Sequence, residues 1–104
     1  MKKKILILAL ALSSAAWAGD YEDGQAAYHK KNYTLALSKF KKAAAQGDAR
    51  AQYQLGEMYN YGNGVEKNES KAVEWYTKAA EQDYAEAQYA LNEIATESKK
   101  KARR

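Results

Sequence analysis

Hydrophobic and small residues recur along this chain every three or four positions, which is the periodicity of an amphipathic α-helix. One segment, residues 33–46, places Leu37, Phe40, Ala43 and Ala44 on a single stripe. Proline is absent from the whole sequence, and alanine, the strongest helix former, is abundant. The pattern therefore predicts an all-α protein.

The breaks in this pattern divide the chain into five predicted helices. They cover residues 20–31, 33–46, 49 to 59 or 61, 68 or 69 to 82, and 85 to about 98. The segments Gly47-Asp48 and Gly62-Asn63-Gly64 separate the middle three, because glycine and asparagine accept the positive φ angles of tight turns. Short connections of this kind make neighbouring helices antiparallel.

A tract of the chain is written twice, 36 residues apart. Residues 72–82 resemble residues 36–46, and residues 85–91 resemble residues 49–55. The two copies align without a gap. Such a period in helix-forming sequence predicts a stack of helical repeats. The two units differ in one respect, because Gly24 to Ala36 spans 12 residues whereas Gly56 to Ala72 spans 16, so the second unit has a longer loop at residues 61–67.

The second unit resembles the Sel-1-like repeat family, a relative of the tetratricopeptide repeat. The residues that match are Ala51-Gln52-Tyr53-Gln54-Leu55-Gly56-Glu57-Met58-Tyr59, Gly62, Gly64-Val65, Asn68, Lys71-Ala72, Trp75-Tyr76 and Lys78-Ala79-Ala80. The resemblance covers one complete repeat, residues 49 to 83 or 84. A unit with the loop length of a plain tetratricopeptide repeat precedes it, and the opening helix of another copy follows. It implies a short α-solenoid of about five antiparallel helices, in which Asn92 replaces the packing glycine matched by Gly56 and marks a capping helix.

The first 18 residues have the layout of a bacterial secretory signal peptide. Lys2, Lys3 and Lys4 precede an apolar run at residues 5–12, and Ala16-Trp17-Ala18 fits a cleavage signal. We predict cleavage between Ala18 and Gly19, which would make the mature protein periplasmic or secreted. The sequence has no cysteine, which excludes disulfides and thiol chemistry.

The charges of the predicted mature chain are segregated. Residues 19–98 have nine basic and thirteen acidic side chains, whereas five of the last six residues are basic. We expect residues 19–98 to form the repeat domain and residues 99–104 to be a disordered basic tail. The tail could make weak contact with an anionic membrane. No nucleic acid partner is expected, because the protein is predicted to be exported.

The sequence offers no convincing catalytic site. Its single histidine, His29, falls near the end of the first predicted helix, where it suits the helix C-terminus. Ser38, Ser70 and Ser98 have no nearby histidine, so a nucleophile and base pair is not supported. A transition-metal site would need further histidine or cysteine ligands. We therefore predict no enzyme activity, no metal and no cofactor.

Tyrosines recur at equivalent positions of the successive units. Gly24, Gly56 and Asn92 are equivalent positions of the successive units. Tyr21, Tyr53 and Tyr89 stand three residues before them, respectively. In tetratricopeptide-like stacks this helix face lines the concave surface, and aromatic side chains with polar tips suit protein recognition. The predicted partner-binding face comprises Tyr21, Gln25, Tyr28, Tyr53, Glu57, Tyr61, Tyr89 and Glu93. The alternative is that these tyrosines are half-buried packing residues.

The function predicted from these features is that of an exported scaffold. It would bind a protein or peptide of unknown identity in the cell envelope and catalyse nothing itself. One alternative is a self-assembling or inhibitory factor that acts on another envelope protein, and a more remote one is a small envelope hydrolase. Helical repeats bind diverse ligands, so the fold does not name the partner.

Overall fold

The computed structural model describes residues 19–103, and this part of the chain folds into five α-helices without a β-strand. They are α1 (residues 19–29), α2 (Tyr33–Ala45), α3 (Ala49–Tyr61), α4 (Glu69–Ala80) and α5 (Ala85–Arg103). The prediction of an all-α protein with five helices is confirmed. The predicted signal peptide, residues 1–18, lies outside the described residues.

Short polar residues define where the inner helices begin. Asn32, Asp48 and Asn68 stand directly before α2, α3 and α4, and each side chain accepts a hydrogen bond from a first-turn backbone N–H at 3.0–3.3 Å. This satisfies one of the donors that a helix start leaves unpaired. At the other ends, Gly47 and Gly62 adopt φ angles of 93° and 71°, which turn the chain out of α2 and α3.

Hydrogen bonds at both ends of α3 and α4 show that these helices run in opposite directions. Gln82, just after α4, donates from Nε2 to Oε1 of Gln52 near the start of α3 at 2.9 Å. At the opposite end, the N–H of Asn68 donates to the carbonyl oxygen of Tyr59 at 2.9 Å. The antiparallel arrangement therefore follows from the short connection, as the sequence predicted.

A glycine against an aromatic ring repeats in the two units. A Cβ at Gly24 would lie 2.7 Å from the ring of Phe40, and a Cβ at Gly56 would lie 2.6 Å from the ring of Tyr76. Both rings are fully buried. Each glycine thus allows an aromatic side chain of the following helix to lie directly on the helix backbone.

The core is built largely from alanines that surround a few large side chains. The first cluster is formed by α1, α2 and α3, and the second is centred on α4 and α5. The fully buried large side chains are Tyr76, Phe40, Leu55 and Met58. Leu37, which was predicted on the inward stripe, is half-buried against the first cluster. Small residues dominate because they let neighbouring helices approach closely.

The longer loop of the second unit, between α3 and α4, packs back on the first unit. Gly64 adopts a φ of 77°, and a Cβ there would lie 2.5 Å from Cβ of Tyr33. The neighbouring Asn63 donates from Nδ2 to the hydroxyl oxygen of Tyr28 at 2.9 Å. The four additional residues therefore join α3 to the first helix pair.

The last helix is longer than the sequence predicted. We expected it to end near Ser98 and to be followed by a disordered tail, but α5 continues through Arg103. No glycine or proline follows Gly64, and lysine, alanine and arginine are strong helix formers. Basic side chains also stabilise the last turn through the helix dipole. None of the helices in the described part is long and apolar enough to cross a membrane.

Candidate partner-binding groove

A groove of about 330 Å³ opens along α5 where this helix meets α3 and α4. We call it the α3–α5 groove. Four tyrosines, five glutamates and three smaller or neutral side chains line it. These residues are Tyr53, Tyr61, Tyr76, Tyr89, Glu57, Glu69, Glu86, Glu93, Glu97, Asn60, Ala90 and Ile94.

The tyrosines of the groove fall into a packed pair, in which Tyr76 is fully buried and Tyr53 half-buried, and an exposed pair. Tyr53 packs between Tyr76 and Tyr84, with ring centroids 5.7 Å and 5.5 Å away. In contrast, Tyr61 is 62% exposed and Tyr89 is 66% exposed. The packed pair joins α3 to α4 and, through Tyr84, to the start of α5, whereas the exposed pair presents aromatic surface to solvent.

A short hydrogen bond fixes the base of the groove. The hydroxyl of Tyr76 donates to Oε2 of Glu57 at 2.6 Å, which orients this carboxylate against α4. Burial raises the pKa of Tyr76 well above its ordinary value near 10, and the hydrogen bond to Glu57 adds to the effect. Burial likewise raises the pKa of Tyr53 to about 12, with a further contribution from the Glu57 charge. Both hydroxyls therefore stay protonated at neutral pH.

The charge of the groove has one sign. Five of its lining residues are glutamates, and no lysine, arginine or histidine of residues 19–103 is among them. Glu97 of the lining pairs with Lys100, whose Nζ lies 3.7 Å from its Oε2. The groove therefore combines aromatic surface with a negative potential.

The structure brings five of the eight predicted face residues together in this groove. They are Tyr53, Glu57, Tyr61, Tyr89 and Glu93. Residues from two successive repeats meet because α3 and α5 occupy equivalent positions in the stack. Whether this surface binds a partner stays a prediction.

The other three predicted residues lie on α1, outside the groove. Tyr21 packs on Phe40 and lies beneath the guanidinium of Arg50. The hydroxyl oxygen of Tyr21 accepts a hydrogen bond from Nε2 of Gln25 at 2.8 Å. Tyr28 packs against Phe40 and against Tyr33. These contacts match the alternative that the sequence left open, which is that such tyrosines pack between helices.

Sequence reasoning missed several acidic residues of the groove. Glu86 and Glu97 were not predicted, although Glu86 precedes Tyr89 by three residues and Glu97 follows Glu93 by four. These spacings place them on the same face of α5. Extending the predicted face by this rule would have found both, whereas Glu69 comes from α4 and needed the tertiary structure.

The remaining candidate residues are the histidine and the possible metal ligands. His29, the last residue of α1, is exposed, and its Nδ1 donates to the carbonyl oxygen of Gln25 at 2.8 Å. Within residues 19–103, no three histidine, cysteine, aspartate or glutamate residues are grouped so that they could hold a metal ion.

Comparison with known families identifies the repeats. Residues 12–48 and residues 49–84 each match the Sel1 repeat. The chain belongs to the Sel1 repeat family. The resemblance seen in the sequence is thus confirmed, but two copies match where the sequence indicated one complete Sel1 repeat after a tetratricopeptide-length unit. The first copy begins inside the predicted signal peptide, which remains a prediction.

One relative is named as a component of a ubiquitin ligase. A segment of 45 residues, or 43% of this Sel1 repeat chain, is 44% identical to HRD3 of Candida glabrata, an ERAD-associated E3 ubiquitin-protein ligase component. The match spans 5% of the length of that relative.

Proposed function

We propose that this Sel1 repeat protein is a scaffold that holds a segment of a partner protein in the α3–α5 groove, and that it does so in the cell envelope without catalysis of its own. The observation that carries the proposal is the pair of exposed tyrosines, Tyr61 of α3 and Tyr89 of α5, which line one groove together with the buried Tyr76.

The side chains of the groove suit polypeptide recognition. Tyrosine supplies a large contact area at a low cost in conformational entropy, and it is enriched at interfaces for this reason. Ala90 and Ile94 add aliphatic surface to the lining of the groove. The hydrogen bond between Tyr76 and Glu57 fixes part of the lining in advance. A preformed groove lowers the ordering cost that binding must overcome.

The family supports the same function. Sel1 repeats generally mediate protein–protein interaction, and HRD3 of Candida glabrata is named as a component of a ligase rather than as a free-standing protein. These similarities favour a binding role but do not identify a partner for this chain.

Export is the second part of the proposal, and the composition of residues 2–18 supports it. The full-length chain with a C-terminal tag should yield an envelope or secreted form whose mass corresponds to residues 19–104. A mass that includes residues 1–18 in the cytoplasmic fraction would contradict it.

Affinity capture with matched variants tests the binding role. Tyr61→Ala/Tyr89→Ala removes the exposed aromatic surface, whereas Leu35→Ala removes an exposed hydrophobic side chain of α2 outside the groove. We expect a partner that is recovered with the wild type and with Leu35→Ala to be lost with the double variant. Tyr53 is left intact because its packing against Tyr76 and Tyr84 stabilises the fold. Equal recovery by a folded double variant would refute the proposal.

A further inference from the structure

The first repeat junction already contains a cation over a tyrosine. The guanidinium carbon of Arg50, on α3, lies 4.0 Å from the ring centroid of Tyr21 on α1. Arg50 is held there by two carboxylates, since Nη2 lies 2.7 Å from Oδ2 of Asp48 and Nη1 lies 3.6 Å from Oε2 of Glu22. A cation over an aromatic face, paired with flanking carboxylates, is a stable arrangement in this fold.

The repeat places the same tyrosine at the open end of the described stack. Tyr89 of α5 corresponds in register to Tyr21 of α1, but no helix of residues 19–103 covers it, and it is 66% exposed. Arg50 reaches Tyr21 from the next helix of the same type, and its counterpart Glu86 on α5 puts a carboxylate near Tyr53 instead. No helix of residues 19–103 follows α5, so none of them supplies a cation to Tyr89 in the same way. Tyr89 therefore retains the aromatic face but lacks the cation.

Carboxylates also flank Tyr89, although at positions that do not correspond to Glu22 and Asp48. Glu86 and Glu93 stand three residues before and four residues after Tyr89, and both line the same groove. Among the salt bridges of the described residues, neither glutamate has a cationic partner. Glu97 pairs with Lys100 and is thus partly neutralised.

We infer that the α3–α5 groove takes a lysine- or arginine-bearing segment of a partner protein, with one cationic side chain over the ring of Tyr89 and paired with Glu86 or Glu93. The inference deepens the proposed function and rests on it. An acidic or phosphorylated segment is excluded from this surface, because it would meet five glutamates without a cation in the lining.

The length of the groove favours a polypeptide over a small cation. Glu86 and Glu97 are eleven residues apart on α5, which corresponds to about 16 Å along the helix axis. An extended chain covers this distance with roughly five residues. Such a segment can set cationic side chains on the glutamates and aliphatic stems on Ala90 and Ile94.

Peptide binding by the folded chain without residues 1–18 is the test. The probe is a fluorescein-labelled decapeptide of alternating lysine and alanine, and two matched peptides have serine or glutamate in place of lysine. Fluorescence anisotropy at low and moderate salt gives the affinities. We expect the lysine peptide to bind at least about tenfold more tightly than the serine peptide at low salt, and the glutamate peptide not to bind.

Charge-matched variants separate the site from net charge. Glu86→Gln/Glu93→Gln removes two groove carboxylates, and Glu66→Gln/Glu74→Gln removes two exposed carboxylates elsewhere. We expect the first pair to weaken binding of the lysine peptide about fivefold and the second to leave it nearly unchanged. Tyr89→Leu keeps apolar bulk without the aromatic face, and it should weaken binding roughly two- to fivefold. Circular dichroism confirms that each variant is folded.

Several outcomes would overturn the inference. Equal losses in the two glutamine pairs would assign the attraction to net charge, and displacement of the probe by spermidine at equal charge would assign the groove to small cations. A dimer that Glu86→Gln/Glu93→Gln dissolves, seen by sedimentation, would make a second copy the occupant. If the serine peptide binds as well as the lysine peptide, or if no peptide binds while Tyr61→Ala/Tyr89→Ala still loses its captured partner, the cationic ligand is refuted and the proposed function stands.

Discussion

Replacing Gly56 by alanine probes the closest helix contact of the second repeat. The new Cβ would lie 2.6 Å from Cδ1 and Cε1 of Tyr76, whereas ordinary contact begins at 3.4 Å. The ring is fully buried, and its hydroxyl is tied to Glu57 at 2.6 Å, so it has little room to move. We therefore expect α3 and α4 to separate or the ring to tilt, and either change disturbs the core.

The size of the effect follows from two opposing terms. Overpacking a well-packed core costs about 1–3 kcal/mol, whereas alanine is preferred over glycine within a helix by about 0.5–1 kcal/mol. The net expectation is a loss of about 1–2 kcal/mol in the free energy of unfolding. For a domain of this size, that lowers the melting temperature by roughly 5–10 °C.

The assay is urea and thermal unfolding followed by circular dichroism at 222 nm. Asn92→Ala is the matched control, because Asn92 occupies the equivalent position of α5 but is exposed. Alanine there should leave the free energy of unfolding unchanged or raise it by at most about 0.5 kcal/mol. A Gly56→Ala variant as stable as the wild type would refute the close approach of α3 and α4.

Three further predictions concern the same core and its caps. Tyr76→Phe keeps the ring but removes the donor to Glu57, and urea unfolding should show a loss of about 1 kcal/mol in the free energy of unfolding. An unchanged free energy would mean that this hydrogen bond does not stabilise the fold. Asp48→Ala removes both the cap of α3 and the partner of Arg50, and the same assay should show a loss of about 1–2 kcal/mol in the free energy of unfolding. Asp48→Asn keeps a capping side chain and should recover the share of this loss that comes from the cap. Because burial raises the pKa of Tyr53 to about 12, and raises that of Tyr76 as well, the folded protein holds these protons more tightly than the unfolded chain. The free energy of unfolding should stay level below pH 10 and fall as the pH rises from about 10 to 12, and tyrosinate absorbance at 295 nm that titrates fully near pH 10 without unfolding would contradict this.

The helices were predictable because their signals are local. The inward stripe of α2, the breaks at Gly47 and Gly62, and the longer loop before α4 all depend on neighbouring residues. The end of α5 was missed for a physical reason. Every residue from Ala95 to Arg103 is exposed, so this basic run has no packing stripe. Helix propensity and the helix dipole stabilise it instead.

The candidate site was only partly predictable, because repeat register does not fix tertiary neighbours. Tyr21 and Tyr89 occupy equivalent positions in the sequence, yet Arg50 covers the first and nothing in the described residues covers the second. The position in the stack decides this difference, because α3 follows α1 and supplies Arg50, whereas no helix of residues 19–103 follows α5. A prediction that treated all three tyrosines alike could not separate the packed ones from the open one.

Site-specific photo-crosslinking in the native host tests the binding groove most directly. A photoreactive phenylalanine analogue replaces Tyr89 or Glu93 within the groove, or Glu66 or Glu74 outside it. If the groove holds a partner segment, the two groove positions should yield the same protein adduct, and the outside positions should not. Adducts of equal yield from all four positions, or an adduct from Glu66 or Glu74 alone, would contradict a partner bound in the α3–α5 groove.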